Sequence, residues 1–318
     1  MLNKEKFPIF QKNGVNISNE VSLVWSIANT LRGAYRADKY RDVIIPMFVL
    51  ARLEAALKDT KEKVYETYKE NPSTPKQVLE SLSGYKYYNT SRFTLKNLLD
   101  DPDNIKTNFE SYLYGYSERV QDILKSLKFY QEVENLAKSG RLYGVVKKFS
   151  ELDLSPSTVD SIKMGYMFED IIRRFSENEE AGSHYTPREV IGLMVNLLLA
   201  GANTDVFQDN KEVKILDMAA GTGGMLATSK SYIEQLNNKV NVRLFGQEVL
   251  AETYGIGKAD MLIRQENSDN FVHSDTLKDA DPFSQIKMNF VIANPPFGQS
   301  WGGRMLTMEL KMLLEMTI

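Results

Sequence analysis

The sequence predicts an α/β protein, with a parallel, doubly wound sheet in its second half and an all-α region before it. Three observations carry this reading. Apolar residues recur at helical spacing through the first half. From Glu212 the pattern changes to short apolar runs that alternate with helical segments. The residues with chemical potential in that half each stand just after one of the runs, where ligands bind in open parallel sheets.

The first helices are expected at Leu23–Leu31 and Val43–Leu57. Pro46 falls in the first turn of the second, where a missing N–H costs little, and Asp38 or Asp42 is available to the helix start. Asn71–Lys76, with two prolines, reads as a loop, and Asp100–Asp103 as a turn. Phe109–Leu127 and Tyr130–Ala137 return to helical spacing. Leu154-Ser155-Pro156 breaks the pattern, dividing the chain into a helical unit over 1–153 and a second unit over 154–318. The second unit opens with a helix over Ser161–Phe175 and a charged loop over Ser176–Ser183. Thr186 then caps a helix that has Pro187 at its first position and Glu189 completing a capping box.

Four strands follow. Val213–Leu216 ends at Asp217, and Val240–Phe245 runs to Gln247 and Glu248. Asn270–His273 stops before Asp275, and Met288–Ala293 ends at Asn294. Helices over Met225–Leu236 and Ala251–Arg264 separate them.

Composition narrows the function. The 318 residues suit two domains. Lys and Arg number 39 against 42 Asp and Glu, a net charge of -3. A protein that gripped nucleic acid alone would carry a basic surplus, so any such substrate implies a local patch or a partner's grip. No cysteine is present, which rules out disulfides and thiolate metal sites and is compatible with a reducing cytoplasm. The two histidines, His184 and His273, cannot form a His-rich metal site. Met1–Phe10 does not read as a signal peptide. The longest apolar run, Leu193–Ala200, is far shorter than the roughly 20 residues a membrane helix needs.

Asp217 to Gly224 reads Asp-Met-Ala-Ala-Gly-Thr-Gly-Gly, so small residues after a strand let backbone approach a ligand closely. The dinucleotide pattern is absent because Leu226 stands where its third glycine would fall, which disfavours a nicotinamide oxidoreductase. Glu248 is placed to accept both hydroxyls of a ribose, and Asp275 the amino group of an adenine. Asp217 beside the glycines suits a cationic group such as an ammonium. An adenosine bearing a methionine moiety meets all three conditions, pointing to S-adenosylmethionine. Asn294-Pro295-Pro296-Phe297 adds a rigid pair of acceptors, the Asn294 side-chain oxygen and the Pro295 carbonyl, with Phe297 as a stacking face. That arrangement suits an exocyclic amine whose hydrogens must be held while its lone pair attacks. A base within duplex DNA must be flipped out to reach it.

Together these residues resemble the M (modification) subunit of type I restriction–modification systems, in the N6-adenine DNA methyltransferase class. Gly182 to Glu189 looks like the family's leading cofactor motif, which implies cofactor contacts for Tyr185, Thr186 and Pro187. Asp217 to Leu226 looks like its glycine-rich motif, with Met218 and Ala220 where Pro and Cys are usual. Asp217, Ala219, Gly221, Thr222, Gly223 and Gly224 would then line the cofactor, Glu248 and Asp275 its ribose and adenine. Asn294, Pro295, Pro296 and Phe297 match the catalytic motif. Ala28 to Gly33 and Tyr40 to Val43 look like the family's helical N-terminal domain.

The resemblance implies a Rossmann-like S-adenosylmethionine-dependent methyltransferase sheet behind an all-α domain. It also implies a cytoplasmic complex that acts on double-stranded DNA with a specificity (S) subunit, a restriction (R) subunit and a second M subunit. After Trp301 the likeness stops, and Gly302 to Ile318 does not look like the family's continuation. The expectation there is a truncated chain whose sheet is incomplete on its C-terminal side. The alternative function is an inactive subunit that only binds cofactor or partner. A protein-glutamine methyltransferase would share the Asn-Pro-Pro-aromatic pocket, but Phe297 in place of Tyr and the large helical region argue against it.

Overall fold

The computed structural model describes residues 26–176, 186–200 and 208–295. Tyr185, Pro296, Phe297, His184 and the segment from Trp301 to Ile318 lie outside the described residues, as does Leu23 to Trp25 of the first expected helix. Residues 26–31 are helical.

Helix α1 (Arg41–Leu57) is the axis of the first half. Val43 to Leu53 is buried without interruption, as expected of a helix surrounded by others. It begins two residues earlier than its apolar pattern, because Arg41 and Asp42 join its first turn. Pro46 therefore sits beyond that turn, where its missing N–H leaves the Asp42 carbonyl without its helical donor. Around α1 stand α2 (Lys61–Glu70), α3 (Lys76–Ser83), α4 (Ile105–Tyr114), α5 (Glu118–Ser126), α6 (Phe129–Lys138) and α7 (Leu142–Ser150). The single helix expected over Phe109–Leu127 is two. Gly115 breaks it where a Cβ would lie 2.6 Å from Asn89 and Ser91. The Ser117 N–H then turns to the Tyr88 carbonyl.

Helix α8 (Ser161–Ser176) follows the connecting segment and buries Met164, Met167, Phe168 and Ile171 in this same core, with Phe168 stacked on Phe48. Arg52 of α1 holds the connection from within. It is 1% exposed, and one guanidinium nitrogen donates to the Leu154 carbonyl at 2.6 Å and to the Val159 carbonyl at 2.7 Å.

The second half contains α9 (Arg188–Ala200), β1 (Glu212–Asp217), α10 (Gly224–Leu236), β2 (Asn241–Glu248), α11 (Ala251–Ile263), β3 (Phe271–His273) and β4 (Phe290–Val291). Among the described residues these strands form one parallel sheet in the order β3-β2-β1-β4. The chain steps outward from β1 to β3 and then returns to the other side of β1. The switch point therefore lies between β1 and β4, where Leu216 pairs with Val291. Strand alternation divides the sheet's faces. Ile215 and Leu244 join Ile191, Val195 and Leu199 of α9 and Leu226 and Ile233 of α10 on one side. Leu216 and Phe245 meet Phe283 on the other.

Helix α11 is shared by both halves. Gly255 to Ile263 is buried throughout. Ile256, Ala259, Leu262 and Ile263 belong to the helical core, whereas Met261 belongs to the sheet's. Two glycines permit this. A Cβ on Gly255 would meet Ser126 at 2.9 Å, and one on Gly257 would run into the Phe271 ring of β3. Residues two apart on a helix point to nearly opposite sides. Arg264 lies on Gly165 of α8 and pairs with Asp260, Arg119 of α5 pairs with Asp269, and Arg41 pairs with Glu252.

Candidate cofactor and target site

The site collects at the carboxyl ends of the strands. In-register pairing sets Asp217 beside Gly246, Gly246 beside Phe271, and Glu248 beside His273. The connection after β1 is closed by its own hydrogen bonds. The Ala219 N–H donates to Asp217 Oδ1 at 3.0 Å, and the Ala220 N–H to the Gln247 carbonyl at 2.9 Å. Gly223 takes a left-handed φ of 81° to start α10 at Gly224, a conformation that favours glycine. Beneath it Phe271 fills the space that Gly246 leaves, since a Cβ there would meet the ring at 2.6 Å.

Two carboxylates face this loop. Asp217 is 1% exposed. Burial pushes its carboxyl up to about 7, against the pull of the Ala219 N–H and with the help of the nearby Glu248 charge. Glu248 is buried as well, and its two oxygens have separate tasks. Oε2 accepts the Gly221 N–H at 2.9 Å and Oε1 accepts the Leu250 N–H at 2.7 Å. Each oxygen keeps a lone pair for a further donor. Among the described residues neither carboxylate has a cationic partner. An acceptor set of this kind fits a ligand that brings hydroxyls to Glu248 and a positive group to Asp217, as S-adenosylmethionine would.

The segment after β3 closes one side. The Ser274 N–H donates to the Glu248 carbonyl, and the Thr276 hydroxyl donates to the Met218 carbonyl at 2.6 Å. Asp275 is half-buried between them. Its Oδ1 accepts the Leu277 N–H at 3.1 Å and its Oδ2 pairs with Lys278 at 3.0 Å. Thr276 and Phe271 have structural tasks here that sequence reasoning did not find. The small residues facing Phe271, Gly246 and Gly257, were the available signal.

On the other side of β1, β4 delivers Asn294 and the exposed Pro295. The half-buried Asn294 donates from Nδ2 to the Thr186 hydroxyl oxygen at 2.9 Å. Thr186 was expected to cap α9 through its side chain. Instead the helix starts at Arg188, and the Pro187 carbonyl accepts the N–H groups of Val190 and Ile191. Of the expected site residues, Asp217, Ala219, Gly221, Thr222, Gly223, Gly224, Glu248 and Asp275 thus gather around the β1–β2–β3 ends. Thr186, Pro187, Asn294 and Pro295 lie toward β4.

Comparison with known proteins follows this geometry. Residues 21–149 match the family described as HsdM N-terminal domain, and residues 160–314 the family described as N-6 DNA Methylase. The type I restriction enzyme MjaIX methylase subunit of Methanocaldococcus jannaschii is 24% identical over 298 residues, 87% of this chain and 50% of that one. The type I restriction enzyme EcoEI methylase subunit of Escherichia coli is 27% identical over 180 residues, 53% of this chain and 34% of that one. This chain therefore spans half or less of the length of these relatives. The crystal structure of the type I restriction-modification system methyltransferase subunit from Streptococcus thermophilus superposes with a TM-score of 0.68 at 21% identity. The match covers 89% of this chain and 64% of that one. It bears out the fold class, a helical N-terminal domain before a small methyltransferase sheet.

Proposed function

We propose that this chain, which belongs to the family of type I restriction–modification methylase subunits, transfers a methyl group from S-adenosylmethionine to the N6 amine of adenine in double-stranded DNA. The observation that carries the proposal is the pairing of sites across the switch point. Two buried carboxylates with no cationic partner among the described residues stand at the ends of β1 and β2, and Asn294 stands at the end of the adjacent β4. S-adenosylmethionine would supply an electrophilic methyl group. Glu248 holds the ribose hydroxyls while keeping the glycine loop in place through Gly221. Asp217 faces the positive charge, and Asp275 the adenine end. Tyr185, Thr186 and Pro187 would border the methionine end. Asn294 Oδ1 and the Pro295 carbonyl accept the hydrogens of the target amine. This keeps its lone pair available and gives the departing proton a path. Phe297 would stack on the flipped base.

The net charge of -3 supports a division of labour in which a specificity subunit reads the DNA and supplies much of the phosphate grip. A restriction subunit and a second methylase subunit complete the proposed assembly, located in the cytoplasm. No helix among the described residues is long and apolar enough to cross a membrane. The resemblance of both matched regions to methylase subunits favours this reading over a chain that only holds cofactor or partner.

Calorimetry with S-adenosylmethionine tests the cofactor assignment. Glu248→Ala is expected to weaken binding far more than Phe297→Ala. Equal losses, or no binding to the parent chain, would overturn it. Methylation of adenine in DNA is expected only when the specificity subunit is added.

A further inference from the structure

We propose that Thr186 is a positioning residue for Asn294, fixing which end of its amide faces the target amine, and that Glu169 and Tyr166 hold Thr186 in place through Arg188. The inference rests on the reading of Asn294 as the acceptor for that amine.

An asparagine amide has one oxygen and one nitrogen, nearly equal in shape and opposite in effect. With oxygen toward an exocyclic amine it accepts a hydrogen. With nitrogen toward it, two N–H groups oppose each other and the site repels its substrate. Rotation about the last side-chain bond is soft, so something must choose. In the structure Nδ2 donates to the Thr186 hydroxyl oxygen at 2.9 Å. Oδ1, on the other side of the planar amide, accepts nothing from the described residues.

Thr186 has little freedom of its own. The following Pro187 restricts its backbone to extended conformations. The next residue, Arg188, is anchored to the helical half. Its Nε donates to Glu169 Oε1 at 2.5 Å and a terminal nitrogen to Glu169 Oε2, a two-pronged pair. Its guanidinium also stacks 4.1 Å from the centre of the Tyr166 ring. Tyr166 and Glu169 lie one turn apart on α8, whose opposite face is packed into the helical core. A continuous set of contacts therefore runs from that core through α8, Arg188 and Thr186 to Asn294. It gives the helical half a share in the chemistry without any contact to substrate.

The test uses the full chain with its specificity subunit, labelled S-adenosylmethionine and target DNA, beside cofactor calorimetry. Thr186→Val keeps the shape and removes the hydrogen-bond acceptor. It is expected to lower kcat roughly 10- to 100-fold, a much larger factor than any it costs in cofactor affinity at the methionine end that Thr186 also borders. Thr186→Ser is expected to restore turnover. Arg188→Met is expected to lower kcat by a smaller factor, again one larger than its cost in cofactor affinity. Thr186→Val added to Asn294→Ala is expected to cost nothing further, because the group it orients is already gone. Full activity in Thr186→Val, failure of Thr186→Ser to restore it, additive losses in the double variant, or a fall in cofactor affinity matching the fall in turnover would each overturn the proposal. If Asn294→Ala methylates as well as the parent, the functional reading fails separately. The orientation is then judged by the NMR signals of the Asn294 side-chain NH2 group. They should shift in Thr186→Val and return in Thr186→Ser, and unchanged signals would refute it.

Discussion

The two parts of the proposed site are built on different principles. The proposed cofactor end is closed by bonds made within the sheet half: Ala219 to Asp217, Ala220 to Gln247, Gly221 to Glu248, Thr276 to Met218. At the proposed target end β4 is paired in the sheet, but the Asn294 side chain is held by a bond to Thr186, whose neighbour Arg188 is tied to α8. The first kind of construction places groups rigidly regardless of what the rest of the molecule does. The second makes geometry depend on how the two halves are set against each other. The proposed methyl transfer, in which a cofactor is held continuously and a base is acted on only when correctly presented, has a use for both.

The largest expected effect separates stability from function at the cofactor end. Unfolded, Asp217 ionises near the ordinary carboxylate value; folded, it holds its proton up to about 7. The folded chain binds the extra proton between these values. Stability therefore falls as pH rises through that window, and the full cost is present above it. Asp217→Asn should remove this cost, stabilising the ligand-free protein by up to about 4 kcal/mol above neutral pH. Thermal unfolding at pH 5 and pH 8 should show the larger gain at pH 8. The same variant should lose most of its cofactor affinity in calorimetry. A variant that is no more stable at pH 8 than the parent would show that Asp217 is not held as described.

A second comparison uses the two faces of α11. Gly257→Ala drives a Cβ into Phe271, under the glycine loop, and Gly255→Ala drives one toward Ser126 and Leu127. Each should cost about 1–3 kcal/mol in denaturant unfolding. Only Gly257→Ala should also weaken cofactor binding. Equal effects on the cofactor would mean that the halves are not separable at this helix.

The smallest effect concerns the link between the halves. Arg119 pairs with Asp269 at 2.7 Å and with Glu80 at 3.1 Å, and its hydrogen bond holds the Asp269 carboxyl below the usual range. Arg119→Ala should cost about 1 kcal/mol at neutral pH. The loss should shrink in acid, as Asp269 takes up its proton, because a depressed carboxylate stabilises only above its folded value, while the bond from Arg119 to the Lys86 carbonyl persists. Urea titrations at pH 7 and in acid check this.

Much of this was legible in the sequence for a physical reason. Asp217, Glu248 and Asn294 stand at strand ends, and a parallel sheet brings strand ends together whatever else the fold does. The apolar runs were dense enough to mark all four strands and α1. Other features left weaker traces. Helix α2 is mostly polar, with only Lys61 and Val64 buried, so no apolar stripe announced it. α3 is short and offers the same difficulty, whereas the buried Leu142, Val145, Val146 and Phe149 give α7 an apolar stripe that its shortness alone obscures. The bond between Thr186 and Asn294 spans 108 positions, and nothing local to Thr186 signals it. The residues there suggested a cap, a sound local expectation that a tertiary partner displaced.

The position of α11 also bears on how the chain is made. The helical core counts Ile256, Ala259, Leu262 and Ile263 among its own residues. During synthesis the earlier helices emerge long before residues 251–263 do. Until then Leu127 and its neighbours lack their cover, and the half-finished core presents apolar surface to whatever is nearby. Completion of the first half waits on a late segment of the second, so the two are assembled as one nascent unit. A ribosome that stalls between α7 and α11 releases a substrate for chaperones.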